Sequence, residues 1–374
     1  MPAGITLSDA IDEYLVHRKA DGKALNTVKT NTRSLRLLLR EVGNLQMNHL
    51  DVRHGEQFKH FLTGPGANRG KGYSGNSVNS HIDSVSGFIK WAHARRYLPR
   101  ANNPLATVSR AHVEDVERTI VQPESFAKLL DAAHSIDPLT GEEVGCAHDR
   151  IVVALGLYLF LRQSEIKTLH IEHVDLDRGE IKVQVHKDPK KKRYVMGISA
   201  RLDQELRRWL TWYANDTRDT FGAIQPEWFL VPARRAPKLV GQVGQRGGTP
   251  IRRASGNCIP MRWNAEPHRN VQRALVRFGI PIRDDDDNSL MEGVHTLRRS
   301  GARALFNRLC TQNYDGALRR VSAMLHHKST STTEGYLQIT LDEKLVNDLI
   351  RGEDMFGEDE FDKVVQLRPT AEGN

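Results

Sequence analysis

Hydrophobic residues in the first hundred positions recur every three to four residues, which is the spacing of amphipathic helices. Ser8 is suited to cap a first helix and Asn26 a second, and a third helix is expected from about Ser77. The apolar positions of these helices are Ile11, Tyr14, Leu15, Leu35, Leu38, Leu39, Val42, Ile82, Val85, Phe88 and Ile89. The pattern predicts a small all-helical domain over residues 1–107.

A polar stretch over residues 108–120 is interpreted as a linker, and the chain after it mixes helical and strand patterns. The predicted elements are helices from Pro123, over 149–170 and over 200–213, and two strands of a hairpin over 181–185 and 193–198 around a basic turn at 187–192. We expect a second domain over residues 121–340. The expected fold class is therefore mainly α with a small β-hairpin or sheet (α+β).

The last part of the sequence, residues 341–374, is expected to form a C-terminal helix followed by an acidic tail. Apolar residues stand at helical spacing at Leu341, Leu345, Val346, Leu349 and Ile350. Such a helix can pack on its own domain or on a neighbouring subunit, and both interpretations stay open.

Composition narrows the class of protein. Hydrophobic residues make up 39% of the 374 residues and charged residues 27%, which is ordinary for a globular chain. The longest apolar run, 151–161, is too short to cross a bilayer, and no secretory signal is recognisable, so a cytoplasmic protein without a membrane partner is expected. Three scattered cysteines argue against a disulfide framework and a zinc site, and the loop 64–72 lacks the spacing of a P-loop. No metal or other cofactor is predicted.

The formal net charge of +8 is distributed unevenly. Residues 337–374 contain 4 basic and 10 acidic residues, so the rest of the chain carries +14. Residues 1–107 contain 15 basic and 8 acidic residues. A solvated charged surface explains part of this excess, but a surface that faces nucleic acid explains its single sign better. The predicted DNA contacts are Arg33, Arg36, Lys90, Arg95 and Arg96.

Five short motifs follow one another in the second domain. They are Arg162-Gln163-Ser164-Glu165 after an apolar helix, Lys187 in the hairpin turn, His295-Thr296-Leu297-Arg298 at a helix start, Leu325-His326-His327 at a helix end, and Thr332-Thr333-Glu334-Gly335-Tyr336. Taken singly, each is a common feature of helical proteins, as an ion pair, an exposed lysine or a packed tyrosine. Their joint order and spacing is far more specific.

In these motifs the sequence resembles the tyrosine recombinase family, which includes the phage integrases. That family has an arginine in Leu-Arg-x-x-Glu, a hairpin lysine, His-x-x-Arg, and Leu-Gly-His followed by Thr-Thr-x-x-Tyr. The resemblance covers roughly residues 5–340, since the N-terminal helices are similar to the family's core-binding (SAM-like) domain. It implies a helical core-binding domain and a catalytic domain that together form a clamp on DNA.

The resemblance also implies the roles of the site residues. Arg162 and Arg298 would hold the non-bridging phosphate oxygens with forked donors, and Tyr336 would attack phosphorus to give a 3′-phosphotyrosine. His295 would take the proton of that hydroxyl, and Lys187 would give one to the leaving 5′ oxygen. The remaining roles are a hydrogen bond from His327 to the phosphate and orientation of neighbouring groups by Glu165.

The partners that the resemblance implies are double-stranded DNA with a recombination core site and a homotetramer in synapsis. Accessory DNA-bending or directionality factors are further partners that it allows. No nucleotide is required, because the phosphotyrosine conserves the energy of the cleaved bond. No metal is required, because the arginines and the lysine would stabilise the charge. The implied function is integration or excision of a phage or mobile element.

Alternatives stay open at two levels. A second recombination role is the resolution of chromosome or plasmid dimers. A type IB topoisomerase is a further alternative, but that class more often has lysine at the position of His295. An inactive DNA-binding regulator is the last, but a decayed site should have lost some of the catalytic residues, which are all present here. The choice of the catalytic lysine is also open, because Lys190, Lys191 and Lys192 lie in the same turn as Lys187.

The sequence also departs from the family at three positions, where Leu161 and His326 stand for common glycines and Arg299 for a common histidine.

Overall fold

A computed structural model of the chain describes residues 4–113, 118–136, 138, 140–184, 193–234, 238–240, 249–251, 258–281, 283, 292–310, 313–327 and 329–338. These residues are mostly helical, with small antiparallel sheets, which confirms the predicted fold class. The chain divides into two units, Met1–Val116 (unit 1) and Glu117–Asn374 (unit 2). The predicted C-terminal helix 341–351 and the tail after it lie outside the described residues.

Unit 1 is built from four helices around one apolar core. They are α1 (Leu7–Ala20), α2 (Leu25–Val42), α3 (Val52–Thr63) and α4 (Gly75–Ala94), with 3₁₀ turns at Met47–His49 and Asn68–Gly70. The apolar positions that predicted three of these helices supply much of the core, which includes Ile11, Tyr14, Leu35, Leu38, Val85 and Phe88. Helix α3 was not predicted, because its apolar core residues Phe58, Phe61 and Leu62 occupy only its second half and the first half is mostly polar.

The capping residues of unit 1 differ from the prediction. Thr6, not Ser8, caps α1 by accepting from the Asp9 backbone N–H, and Ser8 lies in the first turn. Helix α2 follows Ala24, so Asn26 is already helical. Helix α1 is therefore capped by another small polar residue of the same segment, whereas α2 begins without a side-chain cap.

The segment predicted as a linker is divided between the two units. Asn79 of α4 holds Ala111 through two hydrogen bonds to its backbone, of 3.0 and 2.9 Å. Arg110 pairs with Asp83 at 2.6 Å. In unit 2, the Val121 backbone N–H donates to Ser300 Oγ at 2.9 Å. The first part of the segment 108–120 is therefore bonded within unit 1, and the residue that follows the segment is bonded within unit 2.

Unit 2 contains eight helices among the residues described. They are α5 (Phe126–Ala133), α6 (Ala147–Tyr158), α7 (Gln163–Ile166), α8 (Ala200–Phe221), α9 (Pro267–Arg277), α10 (Val294–Cys310), α11 (Tyr314–Met324) and α12 (Thr330–Leu337), with 3₁₀ turns at Pro123–Ser125 and Ile171–His173. The single helix predicted over 149–170 is wrong: α6 ends at Tyr158 and α7 is separate. Phe160 interrupts the helix because its φ of 53° is left-handed.

Among the described residues, the strands of unit 2 form four small antiparallel sheets. They are β1 (His134–Ile136) with β2 (Glu143–Gly145), β3 (Val174–Asp175) with β4 (Glu180–Gln184) and β5 (Arg193–Gly197), β6 (Pro232–Arg234) with β9 (Cys258–Trp263), and β7 (Lys238–Val240) with β8 (Thr249–Ile251). The predicted hairpin is the β4–β5 pair, in which Ile181 faces Met196 and Gln184 faces Arg193. Its inward residues, Ile181 and Val183, are fully buried and fix its register.

Helices α6 and α10 pack against each other at the centre of unit 2. A Cβ atom on Gly301 would lie 1.9 Å from the Leu157 carbonyl oxygen, so only glycine permits this approach. The contact brings the N-terminal part of α10 next to the chain that leaves α6. Within the described part of the chain, no helix has the length and apolar character needed to cross a membrane.

Candidate active site

Arg298 lies at the centre of the candidate site, on the first turns of α10. Its side chain is almost fully buried, with 1% of its surface exposed. Nη1 donates to the backbone carbonyl of Phe160, and Nη2 donates to the carbonyl of Leu325 at 2.6 Å. The left-handed backbone at Phe160 is part of this arrangement, and it falls one residue before Leu161, where the sequence departs from the family.

Arg162 approaches the same point from the other side. As the residue that precedes α7, it donates from Nη1 to Glu165 Oε1 at 2.8 Å and from Nη2 to the Leu325 carbonyl, also at 2.8 Å. Its backbone N–H donates to Glu165 Oε2 at 2.7 Å. Glu165 therefore both caps the short helix and fixes the direction of the guanidinium.

Glu165 is a buried carboxylate between two arginines. Only 2% of its side chain is exposed, and Arg298 Nη1 lies 3.7 Å from Oε2. Two guanidinium groups and one carboxylate leave the cluster with one net positive charge. A buried charge of this kind needs a counter-ion, and an anion such as a phosphate would provide one.

Burial and the neighbouring charge of Arg162 lower the pKa of Arg298 to about 10. The guanidinium nevertheless stays protonated at neutral pH. The cluster is therefore a fixed positive group in a region of low polarity, where electrostatic attraction to an anion is strongest.

Tyr336 lies beside the arginines, on α12. Its hydroxyl donates to the backbone carbonyl of His295 at 3.3 Å, and its ring centre is 6.0 Å from Arg298 Cζ. Burial raises the pKa of the phenol to about 12, although Arg298 and Arg299 act to lower it and Glu292 acts to raise it. The hydroxyl is therefore protonated at neutral pH, and its activation requires a proton acceptor.

The two histidines of the Leu325-His326-His327 motif have different surroundings. His327 Nδ1 is 3.0 Å from Thr333 Oγ1, and its ring meets the Tyr336 ring edge to face with centres 5.3 Å apart. His326 adopts a φ of 52°, which is the conformation a glycine would take at this turn. Its ring lies against Tyr194 of β5, with centres 4.2 Å apart.

The predicted catalytic residues are thus largely brought together. Arg162, Glu165 and Arg298 form one bonded cluster, and Tyr336 and His327 adjoin it. His295 contributes its carbonyl to the Tyr336 hydroxyl, while its side chain is exposed. Lys187, like the other lysines of its turn, lies outside the described residues, but the contact of Tyr194 with His326 places the base of that hairpin beside the site.

The predicted DNA contacts lie on α2 and at the end of α4, and all five are exposed. Arg33 donates to the Tyr73 hydroxyl at 3.3 Å, and Arg95 lies over the Trp91 ring at 5.8 Å. In both cases the guanidinium group itself contacts the aromatic residue, while the side chain remains exposed.

Sequence reasoning missed three contributors to the site. The carbonyls of Phe160 and Leu325 are backbone atoms and left no signal in the residue types. Arg299 was noted only as a departure, although it donates from Nε to the Tyr336 carbonyl at 3.0 Å. Among the residues described, no group of three or more His, Cys, Asp or Glu side chains could hold a metal ion.

Comparison with known proteins supplies independent evidence. The family model of the phage integrase SAM-like domain matches residues 6–108, which is nearly the whole of unit 1. The chain is 26% identical over 271 residues to tyrosine recombinase XerC of Escherichia coli O157:H7, a match that covers 72% of each protein.

Solved structures show the same fold. A lambda integrase dimer bound to a COC′ core site has a TM-score of 0.59 at 13% identity, covering 89% of this chain and 77% of that one. The Tn1549 transposon integrase in complex with a circular intermediate DNA has a TM-score of 0.56 at 13% identity, covering 93% and 99%. The order of the motifs, the site that they form and these similarities together support assignment of the chain to the tyrosine recombinase family, which includes the phage integrases.

Proposed function

We propose that this protein is a site-specific DNA recombinase, an integrase that cleaves and rejoins DNA through a 3′-phosphotyrosine intermediate. The observation that carries the proposal is the buried pair Arg162 and Arg298, which share the Leu325 carbonyl next to the Tyr336 phenol. A fixed positive pair beside a hydroxyl nucleophile is what attack on a phosphodiester requires.

In the cleavage step, the Tyr336 oxygen forms a bond to phosphorus and the bond from phosphorus to the 5′ oxygen breaks. Negative charge gathers on the non-bridging oxygens during this step. Arg162 and Arg298 would stabilise that charge, because their positions are set by hydrogen bonds before the substrate arrives. The side chain of His327, oriented through Thr333, would donate a further hydrogen bond to the phosphate.

Two proton transfers accompany this exchange. The phenol must lose its proton, and the exposed imidazole of His295 is the proposed acceptor, since its carbonyl already touches the hydroxyl. The leaving 5′ oxygen must gain a proton, and Lys187 is the proposed donor. Rejoining reverses both transfers, with a 5′ hydroxyl from the partner duplex as the attacking group.

Unit 1 is the proposed second DNA-binding element, through Arg33, Arg36, Lys90, Arg95 and Arg96. Among the structural neighbours, one lambda integrase is a tetramer bound to a Holliday junction. We propose a corresponding tetramer of this chain on two core sites, with accessory DNA-bending or directionality factors, in the cytoplasm of a bacterial or phage-infected cell.

Dimer resolution is the second candidate role, and the similarity to XerC is the observation that favours it. The lambda and Tn1549 neighbours are integrases, but their sequence identity to this chain is low, so they show only that the fold is the same. Integration or excision of a mobile element remains the role we propose.

A two-site exchange assay tests the function and separates the alternatives. Fragments of the DNA that flanks the gene would be cloned in pairs, either in direct repeat on one supercoiled plasmid or on two plasmids, and incubated with the protein without metal or nucleotide. Site-dependent exchange between the two sites supports the proposal. If the protein relaxes a plasmid that carries one site and no exchange is seen, it is a topoisomerase. If it binds the sites but cleaves no strand, it is a regulator.

A further inference from the structure

The end of the nucleophile helix α12 is held by side chains of α10. The last four carbonyls of any helix lack partners within it, so other groups must bond them. Arg299 donates from Nε to the Tyr336 carbonyl at 3.0 Å. Arg303, one turn further along α10, donates from Nη1 to the carbonyls of Leu337 and Gln338 at 3.1 and 3.2 Å. Two cations at a helix C-terminus are also favoured by the helix dipole.

Arg299 is fixed in turn by a carboxylate that precedes α10. Its Nη2 lies 2.6 Å from Glu292 Oε2, and Glu292 Oε1 also lies 3.2 Å from Arg118 Nη1. The Arg299 side chain is buried, with 6% of the residue exposed, and its guanidinium carbon lies 5.3 Å from the centre of the Tyr336 ring. One side chain thus bonds the backbone of Tyr336 and faces its ring.

The burial of Arg299 is costly, which indicates that the position has a use. Its Nη1 is buried and has no hydrogen-bond partner among the residues that the structure describes. A buried guanidinium nitrogen left unpaired reduces stability. This chain has an arginine at position 299, where family members commonly have histidine.

We propose that Arg299 is a positioning residue that holds α12 against α10 within one subunit and so keeps the Tyr336 hydroxyl beside Arg298. The inference rests on the proposed function, because it assigns Arg299 a part in the attack by Tyr336. Arg299 has no contact with the reacting atoms, and it acts through the backbone and the ring of the nucleophile.

The charge of Arg299 gives the proposal a second consequence. The charged groups that face the Tyr336 phenol are Arg298, Arg299, Glu292 and Arg162, with the His327 ring against its edge. Of these, the three arginines favour the ionised phenol and Glu292 disfavours it. Removing the charge of Arg299 therefore moves the pH dependence of attack to higher pH, whereas removing only its hydrogen bonds leaves it in place.

The test compares four variants with the wild type: Arg299→Met, Arg299→Lys, Arg303→Met and Arg207→Met. Single-turnover formation of the covalent adduct on a nicked duplex would be followed across pH, with DNA affinity measured separately. Arg299→Met should slow adduct formation roughly 10- to 100-fold, since a misplacement of about 1 Å can cost about 100-fold, and should shift the profile to higher pH. Arg299→Lys and Arg303→Met should form the adduct more slowly than the wild type, but their pH profiles should not shift. Arg207 pairs with Asp203 on the exposed side of α8, and its substitution should change nothing.

Amide hydrogen exchange over residues 330–338 in the DNA-free protein gives a readout that needs no activity. Exchange should be faster in Arg299→Met and in Arg303→Met than in the wild type. The proposal would be overturned if Arg299→Met had the same rate of adduct formation, the same pH profile and the same amide exchange as the wild type. If the wild type itself forms no adduct, the proposed function fails, and unchanged exchange in Arg299→Met would then overturn the positioning role as well.

Discussion

Arg162 and Arg298 donate to the same atom, the backbone carbonyl oxygen of Leu325, at 2.8 and 2.6 Å. The two guanidinium groups come from different elements, the residue before α7 and the first turns of α10. A shared acceptor fixes the separation between them. Since Leu325 begins the turn that carries His327, the same atom also relates both arginines to that histidine.

The first prediction concerns the forked geometry of these arginines. Lysine retains the charge but cannot bond Leu325 and a second acceptor in one plane, so Arg162→Lys and Arg298→Lys should each slow adduct formation by about 100-fold or more. Single-turnover kinetics on a nicked core site would measure the loss. Arg207→Lys on α8 is the matched control. Near-normal rates in both site variants would show that charge alone suffices.

The second prediction concerns the buried carboxylate of Glu165. Glu165→Gln removes the one negative charge between two buried arginines and should lower the free energy of unfolding by roughly 3 kcal/mol or more. Glu172 is 55% exposed beside His173, and Glu172→Gln should cost less than about 1 kcal/mol. Urea titration of both variants checks the difference. Equal, small losses would mean that Glu165 is not the counter-ion of the cluster.

The third prediction is a pH dependence that arises at His326. Burial lowers the pKa of this imidazole, and Arg162 and Arg298 act in the same direction against Glu165. Because the folded state binds the proton less readily than the unfolded state, His326 favours folding above its ordinary pKa of 6.5, and this contribution is lost as the pH falls. The difference in stability between the wild type and His326→Asn, which tolerates a positive φ, should therefore shrink below pH 6.5. A difference that stays constant between neutral and acidic pH would contradict this.

The fourth prediction identifies the general acid in the hairpin turn. Lys187→Ala should slow cleavage of an ordinary duplex by about 100-fold or more, because the leaving oxygen needs a proton. A substrate with sulfur in place of the bridging 5′ oxygen has a leaving group that needs none, so the variant should cleave it at nearly the wild-type rate. Lys190→Ala, Lys191→Ala and Lys192→Ala are the controls. If one of these shows the pattern instead, that lysine is the acid.

The sequence predicted the elements whose apolar spacing is regular, and it predicted the chemistry from residue types in a fixed order. Helix α3 escaped because its apolar core residues Phe58, Phe61 and Leu62 are confined to its second half, which is too short to establish a period. The break at Phe160 escaped because a left-handed phenylalanine has no local signature, unlike a glycine. His326 was the reverse case, since it stands where the family commonly has glycine and it does adopt a positive φ.

The geometry of the site could not be predicted in the same way. Its two central acceptors are backbone carbonyls, which any residue type supplies. The role of Arg299 depends on the packing of α12 on α10, a contact between segments more than thirty residues apart. Such contacts are set by the assembled core and not by neighbouring residues in the chain.

Tyr336 is the proposed covalent nucleophile, and covalent trapping on nicked DNA is the direct test of this role. The wild type and Tyr336→Phe would be incubated with nicked duplexes that tile the DNA flanking the gene, without metal or ATP. A protease-sensitive adduct that survives SDS should form with the wild type alone, while both proteins bind the same duplex. An adduct formed by Tyr336→Phe would assign the nucleophile elsewhere, and binding by both without any adduct would contradict the catalytic account.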